Sequence, residues 1–590
     1  MSTGSRPGNL LRILPFLVPL VYAAVLSFSA SSTMFPIDDQ QEFRFVAETD
    51  SFLSLLGADV FRLFRPVKNL LFSVFSLLAP FGIRWCHALG ILIGALSFFP
   101  VRFLCRRILG SEKKALLASS VWLFAPTLVS SAAWLSAVNI LVMVSFAAGS
   151  IVLHDSAWSD GRHRESRILL AGLCLFVSLL SYECAVAVPP LLFLFDLYLR
   201  PGRLRTKGAR EAHALYWTLA VLYLVLRHGC SAKAGATGLF FVETTRLQAI
   251  VSSPWFFVRH ILLWFWPFDR LFILGSYRWG EVDAWKLAAC WVVLLLAASW
   301  CLTRIRRDSV PKYCLLFFLV GFAPTGNCLG FMNGPFGDYY MGLASVGLAA
   351  WVADQSFSFA DQTGKRRISG CALAAALVAS RAWGVTETAS WAVAWGAGTE
   401  VVAASVRNHP EFFPNKTVWA ATIFGKDRYE QALRLCREVE EAVEPNSKHL
   451  ATVFALRGAY EMEVNHDADE ALRLFNGIPR VDPSEDAKKQ WHFNRGRVFE
   501  SIRKDADSAE REYRAAVIGK NPHLDAANRL AILETRFGRQ NEAIELWERI
   551  LRIKPDDETA LWHLSMAYRA SGDKERAEKL EARALKAGGR

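Results

Sequence analysis

Between Leu10 and about Trp383 the chain passes through one apolar run after another, each 15 to 22 residues long, with clusters of Lys and Arg in between. At roughly 1.5 Å per helical residue, such a run covers a hydrocarbon core of about 30 Å. That succession predicts a polytopic helical membrane domain. The remainder is charged and helix-favouring, so the overall 53% hydrophobic and 21% charged residues average two unlike parts. The expected division is 1–390 for the membrane domain and 391–590 for a soluble tail.

Eleven spans are expected, at about 11–30, 85–104, 114–130, 134–154, 167–183, 185–199, 213–229, 284–303, 312–330, 339–354 and 367–384. With the N-terminus inside, five basic loops fall on the cytoplasmic side, as the positive-inside rule requires. They hold Arg106, Arg107, Lys113 and Lys114; Arg162, Arg164 and Arg167; Arg200, Arg203, Arg205, Lys207 and Arg210; Arg304, Arg306, Arg307 and Lys312; and Lys365, Arg366 and Arg367. The agreement needs 66–80 and 246–268 to begin and end outside as interfacial or re-entrant helices. The first is short for a span, and the second carries Pro254, Arg259 and His260. The tail then lies outside, together with the first loop.

The tail repeats itself. Ala509, Ala543 and Ala577 are 34 apart, as are Gly538 and Gly572, and Pro483, Pro522 and Pro555 each follow an expected helical pair. A 34-residue helix-turn-helix period is the tetratricopeptide signature, and such units stack into a solenoid whose concave face binds peptide. Earlier units drift to spacings of 38 or 39, which predicts insertions.

The first loop, FPIDDQQEFRF, sets Asp38, Asp39 and Glu42 just beyond a membrane-length run. Such a cluster is commonly a solvated loop. Here it shares the outer face with Glu183, which sits between two apolar spans, and with Asp338 in FGDYYMGLASVG. Ionisable groups at membrane depth are costly, so each is a candidate functional residue. Arg65, Lys68, Arg259 and His260 are candidate partners of a lipid phosphate, although Arg259 also suits an anchor for an interfacial helix, and Arg65 and Lys68 suit anionic head groups. A hydroxyl attacking an anomeric carbon needs a carboxylate to accept its proton, and a departing polyprenyl phosphate needs a cation.

In order, FPIDDQQEF, FRPVKNLLFSVF, SYECAVAVPPLLFLFDLYL and GDYYMGLASVGLA, followed by the repeats, resemble the transmembrane and tetratricopeptide-repeat-containing O-mannosyltransferases of the GT-C superfamily. The resemblance implies an all-α chain, a GT-C membrane domain with about eleven spans followed by a repeat α-solenoid. It implies transfer of a sugar from a polyprenyl-phosphate donor to a protein Ser or Thr hydroxyl on the extracytoplasmic side. It assigns the catalytic carboxylate to Asp38 or Asp39, with Asp38 favoured. It matches the family's Arg-Pro to Arg65 and Pro66, its Lys-Glu to Tyr182 and Glu183, and its Glu-Arg-Tyr to Asp338, Tyr339 and Tyr340; the family's lysine and arginine are replaced by Tyr182 and Tyr339.

No cofactor beyond the lipid-linked sugar is expected. The 11 cysteines form no metal-ligand spacing, and a divalent cation held by the first-loop carboxylates is not required by the resemblance. The net charge of +12 sits largely in the cytoplasmic loops, so no nucleic-acid partner is expected. The expected partners are the lipid-linked donor, an acceptor protein on the solenoid, and membrane lipids. The expected place is a bacterial inner membrane with the repeats in the periplasm, or the endoplasmic reticulum in a eukaryote. Two alternatives stay open: a GT-C transferase acting on an envelope glycolipid or glycan, and a non-catalytic repeat-bearing membrane scaffold.

Overall fold

The computed structural model describes the chain except for 1–9, 28–37, 48, 50, 60–62, 160–162, 232–240, 243, 266–276, 281, 304–308, 329–336, 361–371, 373–374, 387–402, 404–405, 407–412, 426–427, 448, 520–521, 554–556, 571 and 588–590. The fold is helical, with one two-residue parallel pairing of Phe241–Val242 against Tyr277–Arg278. The chain divides into two compact units, Met1–Val401 and Val402–Arg590.

In the first unit, Ile83–Leu109 packs on Val138–Ser156, which packs on Arg164–Ser181, while Ala344–Ala360 lies against Ser309–Phe322 and Glu112–Leu123. Ala344–Ala360 and Ser309–Phe322 cross closely at Gly347: a Cβ there would stand 2.5 Å from the Cys314 carbonyl oxygen, so only glycine lets these two backbones meet. The core is apolar and fully enclosed, with Phe98, Trp122, Leu141, Leu191, Phe317 and Tyr313 each at 0% exposure. The outer surface is apolar as well. Leu169 and Leu173, Val221 and Val225, and Trp285, Val292 and Leu296 all stand exposed at helical spacing.

Among the described residues, three helices are long and apolar enough to cross a membrane by length and composition: Ile83–Leu109, Leu135–Ser156 and Ala284–Leu302. Arg12–Ser27, Pro66–Phe81 and Ser309–Phe322 are shorter apolar helices. The expected span at 114–130 is broken, because Glu112–Leu123 ends before Pro126, which opens the separate helix Pro126–Ala133. Proline is favoured in the first turn of a helix and kinks or breaks one when it lies in the interior. The apolar segment at 246–268 likewise holds two helices, Arg246–Val251 and Ser253–Phe265.

Among its described residues the second unit holds five helix pairs. They are Phe413–Ile423 with Tyr429–Ala442, Leu450–Tyr460 with Ala468–Phe475, Glu485–Val498 with Ala506–Val517, Leu524–Arg536 with Gln540–Ile553, and Glu558–Ala570 with Lys574–Ala587. Ala432, Ala471, Ala509, Ala543 and Ala577 are each at 0% exposure, at the equivalent point of the second helix. The tighter period of the last units and the longer one before them have a local cause. Glu485–Val498 has 14 residues and runs on into a wide five-residue π-turn, Phe499–Arg503, where the equivalent Leu524–Arg536 has 13 residues and ends. Leu450–Tyr460 continues in the same way through Glu461–Asn465.

Candidate functional site

The acidic first loop forms a helix, Asp38–Ala47. Its Asp39 and Glu42, one turn apart, are both fully buried. Asp39 Oδ1 accepts from the Ser136 backbone N–H at 3.0 Å and from the Ser136 hydroxyl at 2.7 Å. Ser136 lies in the short turn Leu135–Ala137 at the head of Val138–Ser156, so Asp39 ties the first loop to the core.

Glu42 meets the Lys68 ammonium, and Lys68 Nζ also stands 3.5 Å from Asp59. Two carboxylates thus share one buried cation. Burial foremost, with Asp59 adding to it, pushes the Glu42 carboxyl above its ordinary range against the pull of Lys68. Burial alone would lower the Lys68 ammonium, but Glu42 and Asp59 overcome it and the net direction is upward. Three residues earlier, at the N-cap of Pro66–Leu78, Arg65 forms a two-bond fork on Glu183, Nε to Oε2 at 2.8 Å and Nη2 to Oε1 at 2.6 Å. Its guanidinium lies 4.2 Å from the centre of the Tyr182 ring. Tyr182 therefore offers Arg65 an aromatic face.

Asp338 opens the turn Asp338–Met341; its side chain and that of Asp38 lie outside the described residues. Tyr339 meets Trp134 edge-on at 5.4 Å and Tyr340 at 4.7 Å. Tyr340 stacks at 6.3 Å on His260, whose ring nitrogens face the carbonyls of Phe256 at 2.8 Å and Gly337 at 3.4 Å. Arg65 is an electrostatic neighbour of Tyr340. The fold therefore draws Asp39, Glu42, Arg65, Lys68, Glu183, His260, Tyr339 and Tyr340 from distant parts of the sequence into one neighbourhood. The Arg259 guanidinium lies 5.9 Å from the Trp255 ring.

Sequence reasoning missed Asp59, Ser136 and Arg381. No sequence signal marks the first two, while Arg381 is an ionisable residue inside an apolar run and carries the same signal as Glu183. It also missed a grouping at the basic end of the first unit. The ligand atoms of His154, Asp196 and His213 lie within 4.8 Å of one another. Both imidazole Nε2 atoms are 3.0 Å from Asp196 Oδ2, Arg203 Nη1 donates to Asp196 Oδ1 at 3.0 Å, and His154 Nδ1 is 3.2 Å from the Tyr216 hydroxyl. Arg107, Arg200 and Arg203 converge on the neighbouring Asp155.

No family model matches the chain, and no curated protein matches it. Several solved structures are similar to parts of it. One is MamA, at 20% identity and a TM-score of 0.23, covering 29% of this chain and 94% of that one. Another is YrrB, described as a TPR protein with an unusual peptide-binding site, at 16% identity and a TM-score of 0.22, covering 32% and 93%. The Cut9–Hcn1 hetero-tetramer of APC/C aligns at 12% identity and a TM-score of 0.29, covering 88% and 96%. The tetratricopeptide character of the second unit rests on its own helix pairs and spacing.

Proposed function

We propose that the chain is a GT-C-type membrane glycosyltransferase that moves a sugar from a polyprenyl-phosphate donor to a protein hydroxyl on the extracytoplasmic side, with the solenoid presenting the acceptor. The observation that carries this reading is the buried network of Glu42, Asp59 and Lys68 beside the Arg65–Glu183 fork and Asp39. Burying that many charges costs more than an apolar core of the same volume, and such costs are concentrated at functional sites. The exposed apolar rows on 164–181, 207–231 and 284–302 favour a lipid surround, since a soluble domain rarely shows so much apolar surface. Eleven spans, with both the first loop and the tail outside, are part of the proposal.

In the reaction, the acceptor oxygen bonds to the anomeric carbon, the bond from that carbon to the phosphate oxygen breaks, and the phosphate departs with the electron pair. The acceptor's proton passes to a carboxylate. Asp39 already accepts two hydrogen bonds from Ser136, a positioning role, so we assign the base to Asp38. Arg65 and Lys68 already hold carboxylates, and their part is to shape the site. The solenoid's concave face suits an extended protein acceptor better than a lipid.

The test is intact-mass glycoproteomics of exported proteins from the native host and from a strain carrying Asp38→Asn. A hexose-sized mass on Ser or Thr that disappears in the variant is the expected result. Unchanged protein masses with altered envelope glycolipids would replace the acceptor by a lipid, and no change in either would leave a scaffold.

A further inference from the structure

Arg381 is 4% exposed in the helix that covers 375–386. One of its three nitrogens is used: Nη1 donates to the Trp264 carbonyl at 2.5 Å. The guanidinium lies 4.1 Å from the centre of the Trp264 indole. Nε and Nη2 are buried and have no hydrogen-bond partner among the described residues. The first unit's buried Arg65 and Lys68 each meet a carboxylate; Arg381 meets none among the described residues.

An enclosed guanidinium with two idle donors is an expensive feature, because nothing replaces the water it gave up. The idle donors are not random. Nε–H and Nη2–H project along one edge of the guanidinium plane, the same edge with which Arg65 grips both oxygens of Glu183. That edge fits two oxygens of a carboxylate or phosphate side by side, and a phosphate is the anion a membrane supplies. The third nitrogen and the flat face are held by Trp264, so the fork is pre-set before any ligand arrives.

We propose that Arg381 is a binding site for the phosphate oxygens of a membrane lipid, and that in the working protein this lipid is the polyprenyl-phosphate donor. The identification with the donor rests on the transferase reading; the phosphate site does not. Two placements support the donor. In the topology above, Arg381 lies three residues from the outer end of the span at 367–384, at head-group depth. Trp264 is on the same helix, Ser253–Phe265, as His260, one turn earlier, and His260 stacks on Tyr340 of the candidate site. A phosphate gripped by Arg381 is therefore bound by a side chain that the helix lining the proposed reaction centre holds in place.

The experiment measures lipid binding to the full-length protein in detergent by native mass spectrometry, without turnover. The probes are a polyprenyl monophosphate, the uncharged polyprenol of the same length, and phosphatidylglycerol. The wild type is expected to retain the monophosphate and not the polyprenol, and Arg381→Gln to bind the monophosphate about tenfold more weakly or worse. Arg381→Lys, which keeps the charge and loses the fork, should fall between. Equal retention of phosphate and polyprenol by the wild type overturns the site whether or not the variants fold. Equal binding by wild type and a folded Arg381→Gln does the same. Phosphatidylglycerol matching the monophosphate would keep the phosphate site and overturn the donor assignment. A wild type that binds the monophosphate yet glycosylates nothing overturns the transferase and leaves the site standing.

Discussion

Arg65 and Glu183 show how much of this molecule depends on single buried charges. Their side chains are 11% and 3% exposed, and they satisfy each other through two parallel bonds under a tyrosine ring. Removing one partner strands the other, so Glu183→Ala is expected to destabilise the first unit by about 3–5 kcal/mol, and Arg65→Met by a similar amount. The double variant Arg65→Met with Glu183→Met should cost clearly less than the sum, because no unpaired charge remains. Thermal unfolding in detergent measures all three, and additive losses would show that the two side chains act independently. Glu183 was legible as a costly ionisable group between apolar spans, and Arg65 from the resemblance. Their pairing was not legible, because 118 positions separate them and nothing local says that the fork closes. Arg381 carried the same local signal as Glu183; its idle donors become visible only once the packing around it is known.

At the level of the helix pair, one backbone position explains why the repeats look regular at one end and irregular at the other. The turn inside each of the last four pairs passes through a left-handed residue: His466 at φ 54°, Lys504 at φ 56°, Gly538 at φ 77° and Gly572 at φ 90°. Glycine marks that position in the sequence and made the 34-residue spacing of the last units legible. Histidine and lysine conceal it, and the five-residue π-turns before them shift the spacing, so the sequence predicts an insertion without locating it. A Cβ at Gly538 would meet nothing within 4 Å, so Gly538→Ala probes backbone strain with no clash. It is expected to cost about 1–2 kcal/mol. Lys504→Gly should relieve strain at the equivalent turn, with a net gain below about 1 kcal/mol because glycine also loosens the unfolded chain. Hydrogen exchange of the flanking helices, Glu485–Val498 and Ala506–Val517 for the one and Leu524–Arg536 and Gln540–Ile553 for the other, reads both. Protection that rises in Gly538→Ala would refute the strain account.

The whole molecule poses a question of sides. Among the described residues, three helices meet the length and apolarity of a span, while Val188–Leu199, at 12 residues, reaches only about 18 Å. Helix length alone is therefore a poor guide to the expected spans, since a break at Pro126 divides the run at 114–130 that reads as continuous. Charge is the better guide, because moving Lys and Arg across a membrane is opposed wherever the helices begin and end. Exposed positions on the two expected faces give the test. Lys113→Cys and Lys207→Cys lie in basic loops; Leu53→Cys lies after the acidic helix and Arg511→Cys in the solenoid. In intact membrane vesicles of one orientation, a membrane-impermeant maleimide should label the first two or the last two above the parent's background, never a mixture. Joint labelling of Lys207→Cys and Leu53→Cys would put the acidic helix and the basic loops on one face, and Arg511→Cys labelled with Lys113→Cys would put the solenoid opposite the candidate site. Either result removes the geometry by which the repeats present an acceptor. Labelling of Leu53→Cys with Arg511→Cys alone leaves the buried carboxylates, the Arg381 fork and the solenoid on one surface, where a lipid-borne sugar and a protein hydroxyl can meet.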